Sequence, residues 1–252
     1  MVTKREVLSF VEGLGVSAVG VTSAERLADL PTGPVLDAVR LQGVREVLPS
    51  AESVVILAYR VWDPVFNVVA RGPLWLREGV PLEEGGSEFY QLSSQVLDAK
   101  AWALASFLRG EGCDAVVSRR VALKPAAVVA GLGCRGKNTL VLSPVHGPFV
   151  RFSAVLTSAV LEPDEPYVGD LCGDCTRCMD ACPPGALKPH ELEIRRCLTY
   201  AAENPFSVEV EDDVRGLETR LIRRPTLNSF IECTICQDVC PAGRRAREQA
   251  DG

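Results

Sequence analysis

Ten cysteines occur in 252 residues, and eight of them fall between Cys172 and Cys240. Thiolates are soft ligands, and cysteines crowded at two-residue gaps in a reducing compartment point to metal rather than to disulfides. The first group is Cys172, Cys175, Cys178 and Cys182, followed at once by Pro183. This C-x2-C-x2-C-x3-C-P spacing lets three thiolates wrap one cuboidal [4Fe–4S] cluster on a tight loop, while the fourth starts a helical turn that points away and serves a second cluster. The second group is Cys233, Cys236 and Cys240 before Pro241, one cysteine short of the first. The simplest eighth ligand is the isolated Cys197. The crossing rule then predicts one cluster on Cys172, Cys175, Cys178 and Cys240 and another on Cys182, Cys197, Cys233 and Cys236. A zinc ribbon also uses C-x2-C pairs, but it has no need of the four-cysteine run. Two such clusters close together move single electrons; clusters with a purely structural role are the alternative.

The same four-cysteine run is that of the bacterial ferredoxins, so residues 162–243 are expected to form a ferredoxin-like two-cluster module. Upstream of it the pattern alternates between helices and strands. Glu6–Gly13 has apolar residues at helical spacing and ends at glycine. Val16–Val21, Ser53–Tyr59, Ala115–Val117 and Val150–Leu156 read as strands, the second of them apolar and β-branched like a buried one. Gln91–Arg109 reads as the clearest helix, with Leu92, Val96, Ala99, Ala103 and Phe107 near one face. Asp63–Gly86 is rich in Pro, Gly and Glu and is expected to be a long loop or lid. The alternation predicts an α/β layer over residues 1–161. The composition changes at Glu162–Pro166, and residues 244–252 read as a polar tail.

A second stretch carries chemistry, Ala130-Gly131-Leu132-Gly133-Cys134-Arg135-Gly136-Lys137-Asn138-Thr139-Leu140. Glycines at Gly131, Gly133 and Gly136 would let backbone N–H groups approach a large polar ligand. Lys137, Asn138 and Thr139 could bond to phosphate or amide groups on it. The bland alternative is a turn that merely needs small residues. Cys134 is either a thiol facing a cofactor or a small core residue. Tyr59, at the end of a predicted buried strand, is a candidate proton donor, because ligands bind at strand ends in α/β sheets. His146, in a turn-rich loop, is a candidate acid or metal ligand.

Together the cysteine order CGDCTRCMDACPPGAL, RRCLTY and ECTICQDVCP and the stretch AGLGCRGKNTL resemble the epoxyqueuosine reductase family, which is related to corrinoid-dependent reductive dehalogenases. The resemblance covers residues 115–241. It implies a nitroreductase-like α/β layer holding a cobalamin beside the nearer cluster, with Gly131, Gly133, Gly136, Lys137, Asn138 and Thr139 toward that cofactor. Two departures bear on chemistry. The family's tryptophan is Cys134 here. The acidic residue that serves the family as proton donor has no counterpart in Val116–Val121, and neither valine nor arginine is a proton donor near neutral pH. The chain also stops soon after the last cysteines, as in a short branch lacking the family's C-terminal helical-repeat domain.

The leading expectation is an oxidoreductase that passes electrons through two [4Fe–4S] clusters to a bound corrinoid and on to a small organic substrate. A low-potential donor such as a ferredoxin or flavodoxin would supply them. Two further readings stand beside it: a protein that reduces a partner, such as a corrinoid protein, with no organic substrate of its own, and epoxyqueuosine reduction on tRNA. The formal net charge of −6 and the early stop argue against tRNA as a partner. No apolar run reaches the roughly 18 residues of a membrane span, and the N-terminus lacks the pattern of a secretory signal, so a cytoplasmic protein without membrane partners is expected.

Overall fold

The computed structural model describes residues 2–35, 39–73 and 87–242. Helix α1 (Lys4–Glu12) starts at a capping box: Thr3 Oγ1 accepts from the Glu6 N–H at 3.3 Å, and Glu6 Oε2 accepts from the Thr3 N–H at 2.7 Å. Strands β1 (Ala18–Ser23) and β2 (Ser53–Arg60) follow, then β3 (Val68–Pro73) and β4 (Ser87–Gln91). After α2 (Leu92–Gly110) come β5 (Ala115–Ser118), α3 (Leu123–Val129) and β6 (Val150–Thr157). The last third adds α4 (Leu198–Glu203), α5 (Asp212–Leu221) and β7 (Ser229–Ile231), with short turns of helix within the cysteine motifs.

The central sheet runs β1-β2-β6-β5. Every neighbouring pair in it is antiparallel, with Val55 opposite both Val21 and Val155. Both faces are covered, which is why β2 reads as an unbroken apolar run although its sheet is antiparallel. On one face Val55 and Leu57 pack with Val7 and Val11 of α1 and Leu97, Leu104 and Leu108 of α2. On the other Val54 and Ile56 pack with Ala126 and Ala127 of α3. Each fully buried aliphatic side chain contributes about 1.5–3 kcal/mol relative to leaving it exposed.

Three expectations change. The buried stripe of α2 is Leu97, Ala101, Leu104, Ala105 and Leu108, rotated from the predicted face, and Leu92 is 43% exposed. The predicted loop Asp63–Gly86 holds a turn of 3-10 helix at Pro64–Asn67 and all of β3, while residues 74–86 lie outside the described ones, as does the tail 244–252. The predicted boundary at residue 162 is not a clean cut. A second sheet runs β7-β3-β4, placing Phe230 of the last third opposite Val69 of the first. The connecting segment is also strapped down: Asp164 accepts from Lys4 Nζ at 2.6 Å and from the Val21 N–H at 2.8 Å.

Candidate functional site

The eight clustered cysteines fall into two sets of four, each lining its own cavity. Cys172, Cys175, Cys178 and Cys240 wall one small cavity, with Asn138, Leu142 and Leu171. Cys182, Cys197, Cys233 and Cys236 share the wall of a second cavity of about 430 Å³. The motif loops are built alike. In the first, Thr176 Oγ1 donates to Asp180 Oδ2 at 2.7 Å around the helical turn Arg177–Asp180; in the second, Thr234 Oγ1 donates to Asp238 Oδ2 at 2.8 Å around Ile235–Asp238. Cys197 joins its set because α4 begins there and the Cys233 N–H donates to Thr199 Oγ1 at 3.1 Å. Among the described residues no three His, Cys, Asp or Glu side chains converge on a single metal ion; each set of four cysteines lines a cavity instead.

Burial, reinforced by the neighbouring thiols, pushes the Cys233 thiol up to about 11 and the Cys236 thiol up to about 12. Cys172, Cys178 and Cys197 are raised for the same first reason. Thiols in such a setting ionise at neutral pH when a cationic partner sits among them.

The glycine stretch packs closely against its own chain. A Cβ on Gly131 would lie 2.6 Å from the Glu165 carbonyl oxygen, and one on Gly133 would lie 2.1 Å from that of Leu142. Gly136 is crowded in the same way by Asn138 Oδ1 at 2.7 Å. Gly131 and Gly133 also have φ of +78° and +150°, where a side chain is disfavoured. The small residues are spent on the chain's own close packing. Lys137 turns to the first cysteine loop: its Nζ donates to the carbonyls of Gly173 at 2.6 Å and Cys175 at 3.1 Å, and its N–H donates to Cys172 Sγ at 3.4 Å. Asn138 is buried, reaches the Cys236 carbonyl at 3.5 Å and walls both cavities. Thr139, at φ 64°, makes the turn and lines the larger cavity.

The remaining wall of the larger cavity comes from the first half. Leu123 and Lys124 stand on α3, and Val150, Arg151 and Phe152 on β6. Thr199, Tyr200 and Glu203 of α4 close it, with Glu232 beside the second motif. Arg151 Nη2 donates to Glu232 Oε2 at 2.9 Å, and Gln91 Nε2 donates to the same oxygen at 2.6 Å. Lys124 lines the cavity while staying exposed at its mouth, and desolvation on the cavity side, then the Arg151 and Arg135 charges, hold its pKa below the ordinary lysine value. Sequence reasoning did not single out this lysine. The signal it lacked was the fold of α3 against the cysteine sets.

The three catalytic candidates lie elsewhere. Tyr59 is 8% exposed and packs with Trp62, Phe66 and the Lys100 ammonium in the core under α2, where burial raises its pKa. The strand-end argument fails for it because that rule belongs to parallel sheets. Cys134 packs with Leu142, Cys240, Tyr167 and Leu171 as a small core residue. His146 is half-buried beside Ser17 and Arg60, and burial lowers its pKa. None of the three lines the larger cavity.

Over residues 171–243 the sequence matches the 4Fe–4S double cluster binding domain family. The chain is 26% identical over 261 residues to the epoxyqueuosine reductase of Bacillus subtilis (strain 168), a match covering 96% of this chain and 64% of that one. The chain thus spans just under two thirds of that relative's length. A solved epoxyqueuosine reductase carrying an epoxyqueuosine-modified tRNA-Tyr stem loop shares the fold, with a TM-score of 0.68, 23% identity and coverage of 96% of this chain and 65% of that one. So does a reductive dehalogenase described for B12-dependent dehalogenation, at a TM-score of 0.54, 18% identity and coverage of 96% and 37%. These findings overturn the expectation against tRNA. A net charge of −6 averages over the whole surface, whereas nucleic acid is met by one face of it. Among the described residues no helix is long and apolar enough to cross a membrane.

Proposed function

We propose, from this relationship to the epoxyqueuosine reductases, that the chain is an iron–sulfur oxidoreductase that reduces an epoxide-bearing nucleoside in tRNA. The observation that carries the reading is a shared wall: four thiols of one set and side chains of the central-sheet half line the same cavity of about 430 Å³. In this reading Cys172, Cys175, Cys178 and Cys240 hold one [4Fe–4S] cluster, and Cys182, Cys197, Cys233 and Cys236 the other. Two sets of four cysteines, each lining its own cavity, fit that group. When bound, the clusters supply single electrons at low potential. Removing an epoxide oxygen as water takes two electrons and two protons and leaves a carbon–carbon double bond. Lys124 Nζ holds a proton at the cavity wall, in place of the carboxylate that the resemblance puts before the glycine stretch. Leu123, Val150 and Phe152 exclude water, and the Arg151–Glu232 pair fixes the wall beside Cys233.

The fold shared with a B12-dependent dehalogenase supports a nitroreductase-like, corrinoid-type layer and a small organic substrate as a second reading. Of the residues expected to hold a corrinoid, Asn138 and Thr139 line the larger cavity, whereas Lys137 is turned to the first cysteine loop and side-chain space at Gly131, Gly133 and Gly136 is filled by the chain itself. No step here passes through a corrinoid.

The test is anaerobic: protein reconstituted with iron and sulfide, reduced with dithionite and given tRNA carrying epoxyqueuosine, with and without hydroxocobalamin. Queuosine is then measured in the nucleoside digest. Conversion is expected. Lys124→Met should slow it about 100-fold or more, as loss of a general acid does (~10²–10⁴), with the cluster absorption unchanged. Absence of queuosine in both arms from fully iron-loaded protein would refute the tRNA reading and leave a protein that reduces a partner.

The raised thiol pKa values give a second expected outcome. The metal-free fold keeps its thiols protonated above their ordinary value of 9.0, so it is fully stable below that pH and loses stability as pH rises toward the Cys233 and Cys236 values of about 11 and about 12. Urea midpoints of metal-free protein should therefore fall above about pH 9, while those of iron-loaded protein stay flatter. Equal slopes would show that the thiols do not carry the effect.

A further inference from the structure

We propose that opposed charges on Lys137 and Asp170 set the reduction potential of the cluster on Cys172, Cys175, Cys178 and Cys240, and leave the other cluster alone. The inference rests on the two-cluster part of the proposed function and is independent of the substrate.

Both residues act on one short loop from opposite sides. The Lys137 ammonium lies on the carbonyls of Gly173 (2.6 Å) and Cys175 (3.1 Å), while its own N–H points at Cys172 Sγ (3.4 Å). Asp170 is exposed, and its two carboxylate oxygens accept from the N–H groups of Cys172 (2.8 Å) and Gly173 (3.1 Å). Both oxygens of the Asp170 carboxylate thus face backbone donors of the loop that carries Cys172. The Lys137 backbone is held in turn, since its carbonyl accepts from the His190 N–H at 3.2 Å and Arg135 Nη2 donates to the His190 carbonyl at 2.7 Å. The neighbouring residue, Asn138, brings no charge to the second motif.

The sign follows from the charge on the cluster. Reduction adds an electron to a group that already carries four thiolates, so a nearby cation and an N–H···S bond favour the reduced form and raise the potential. A nearby carboxylate lowers it. Lys137 and Asp170 therefore pull in opposite directions on the same cluster. Arg177 also walls this cavity and stays constant across the variants that isolate the pair.

The experiment is an electron paramagnetic resonance redox titration of the anaerobic, iron-loaded full chain, with iron counted in each sample. Lys137→Gln should shift one midpoint potential down, and Asp170→Asn, which removes the charge and keeps an acceptor for one of the two N–H groups, should shift the same midpoint up. The second midpoint should not move in either, and Lys137→Arg should stay close to wild type. Unmoved midpoints at full iron content, equal shifts of both clusters, or shifts of the two variants in the same direction would each overturn the proposal. If Lys137→Gln loses iron, the exposed Asp170→Asn substitution decides by itself. Wild-type protein without [4Fe–4S] signals would refute the cluster reading, a result distinct from clusters whose potentials ignore these residues.

Discussion

Cys197→Ala is expected to remove one cluster and spare the other, with iron falling by about four atoms per chain, one cuboidal core. The position matters because Cys197 belongs to neither spaced motif. Its place depends on α4 starting at that residue and on the bond from the Cys233 N–H to Thr199 Oγ1 at 3.1 Å. Cys175→Ala should cost the same amount of iron from the other set. Spectra of the two variants should then be complementary, each lacking the signal that the other retains. Unchanged iron in Cys197→Ala would refute its place in the set.

Phe230→Ala is expected to have the largest effect on stability, a loss of about 3–5 kcal/mol, the range for truncating a buried phenylalanine. That is a large share of the ~5–15 kcal/mol by which a folded protein is stable. Phe230 is fully buried, packs with Val69, Leu198, Val214 and Ile222, and has the Arg224 guanidinium 5.8 Å from its ring centre. It sits on the strand that pairs the last third with β3 of the first. Phe206 makes the control, since at 93% exposure its truncation should stay within about 0.5 kcal/mol. Anaerobic denaturation of both variants measures the difference, and equal midpoints would contradict the packing described.

The iron–sulfur half was legible because cluster chemistry dictates cysteine spacing directly. The crossing of the two motifs is what the spacing predicts and Cys197 is the eighth ligand by exclusion, and the structure lines one cavity with each of the two predicted sets. Several strands were legible too, because Ser53–Tyr59 and Val150–Leu156 carry their burial in their side-chain types. The face of α2 was not. Its stripe includes Ala101 and Ala105, and alanine and serine at neighbouring positions blur a helical period. The close packing of the glycine stretch was equally hidden. Gly133 is needed because the Leu142 carbonyl approaches it, a contact made only by the hairpin that the stretch itself forms. Lys137 looked like a ligand for a cofactor, and a lysine's sequence position does not say which carbonyls it will find. Lys124, Arg151 and Glu232 were missed because a cavity wall is assembled from α3, β6 and the second motif, which lie far apart in the chain.

The two sets of four cysteines have a consequence for how the protein comes into being. Each draws its cysteines from both ends of the cysteine-rich region: Cys172 with Cys240 in one, Cys182 with Cys236 in the other. A chain leaving the ribosome N-terminus first exposes the whole first motif while the second is still being made. Neither set of four is complete until the second motif has emerged, and the neighbouring strand β7 pairs with β3 across most of the chain, a slow kind of contact. If the two sets hold clusters as proposed, neither cluster can meet all four of its ligands before the second motif has been made, and until then the first motif is a run of bare thiols.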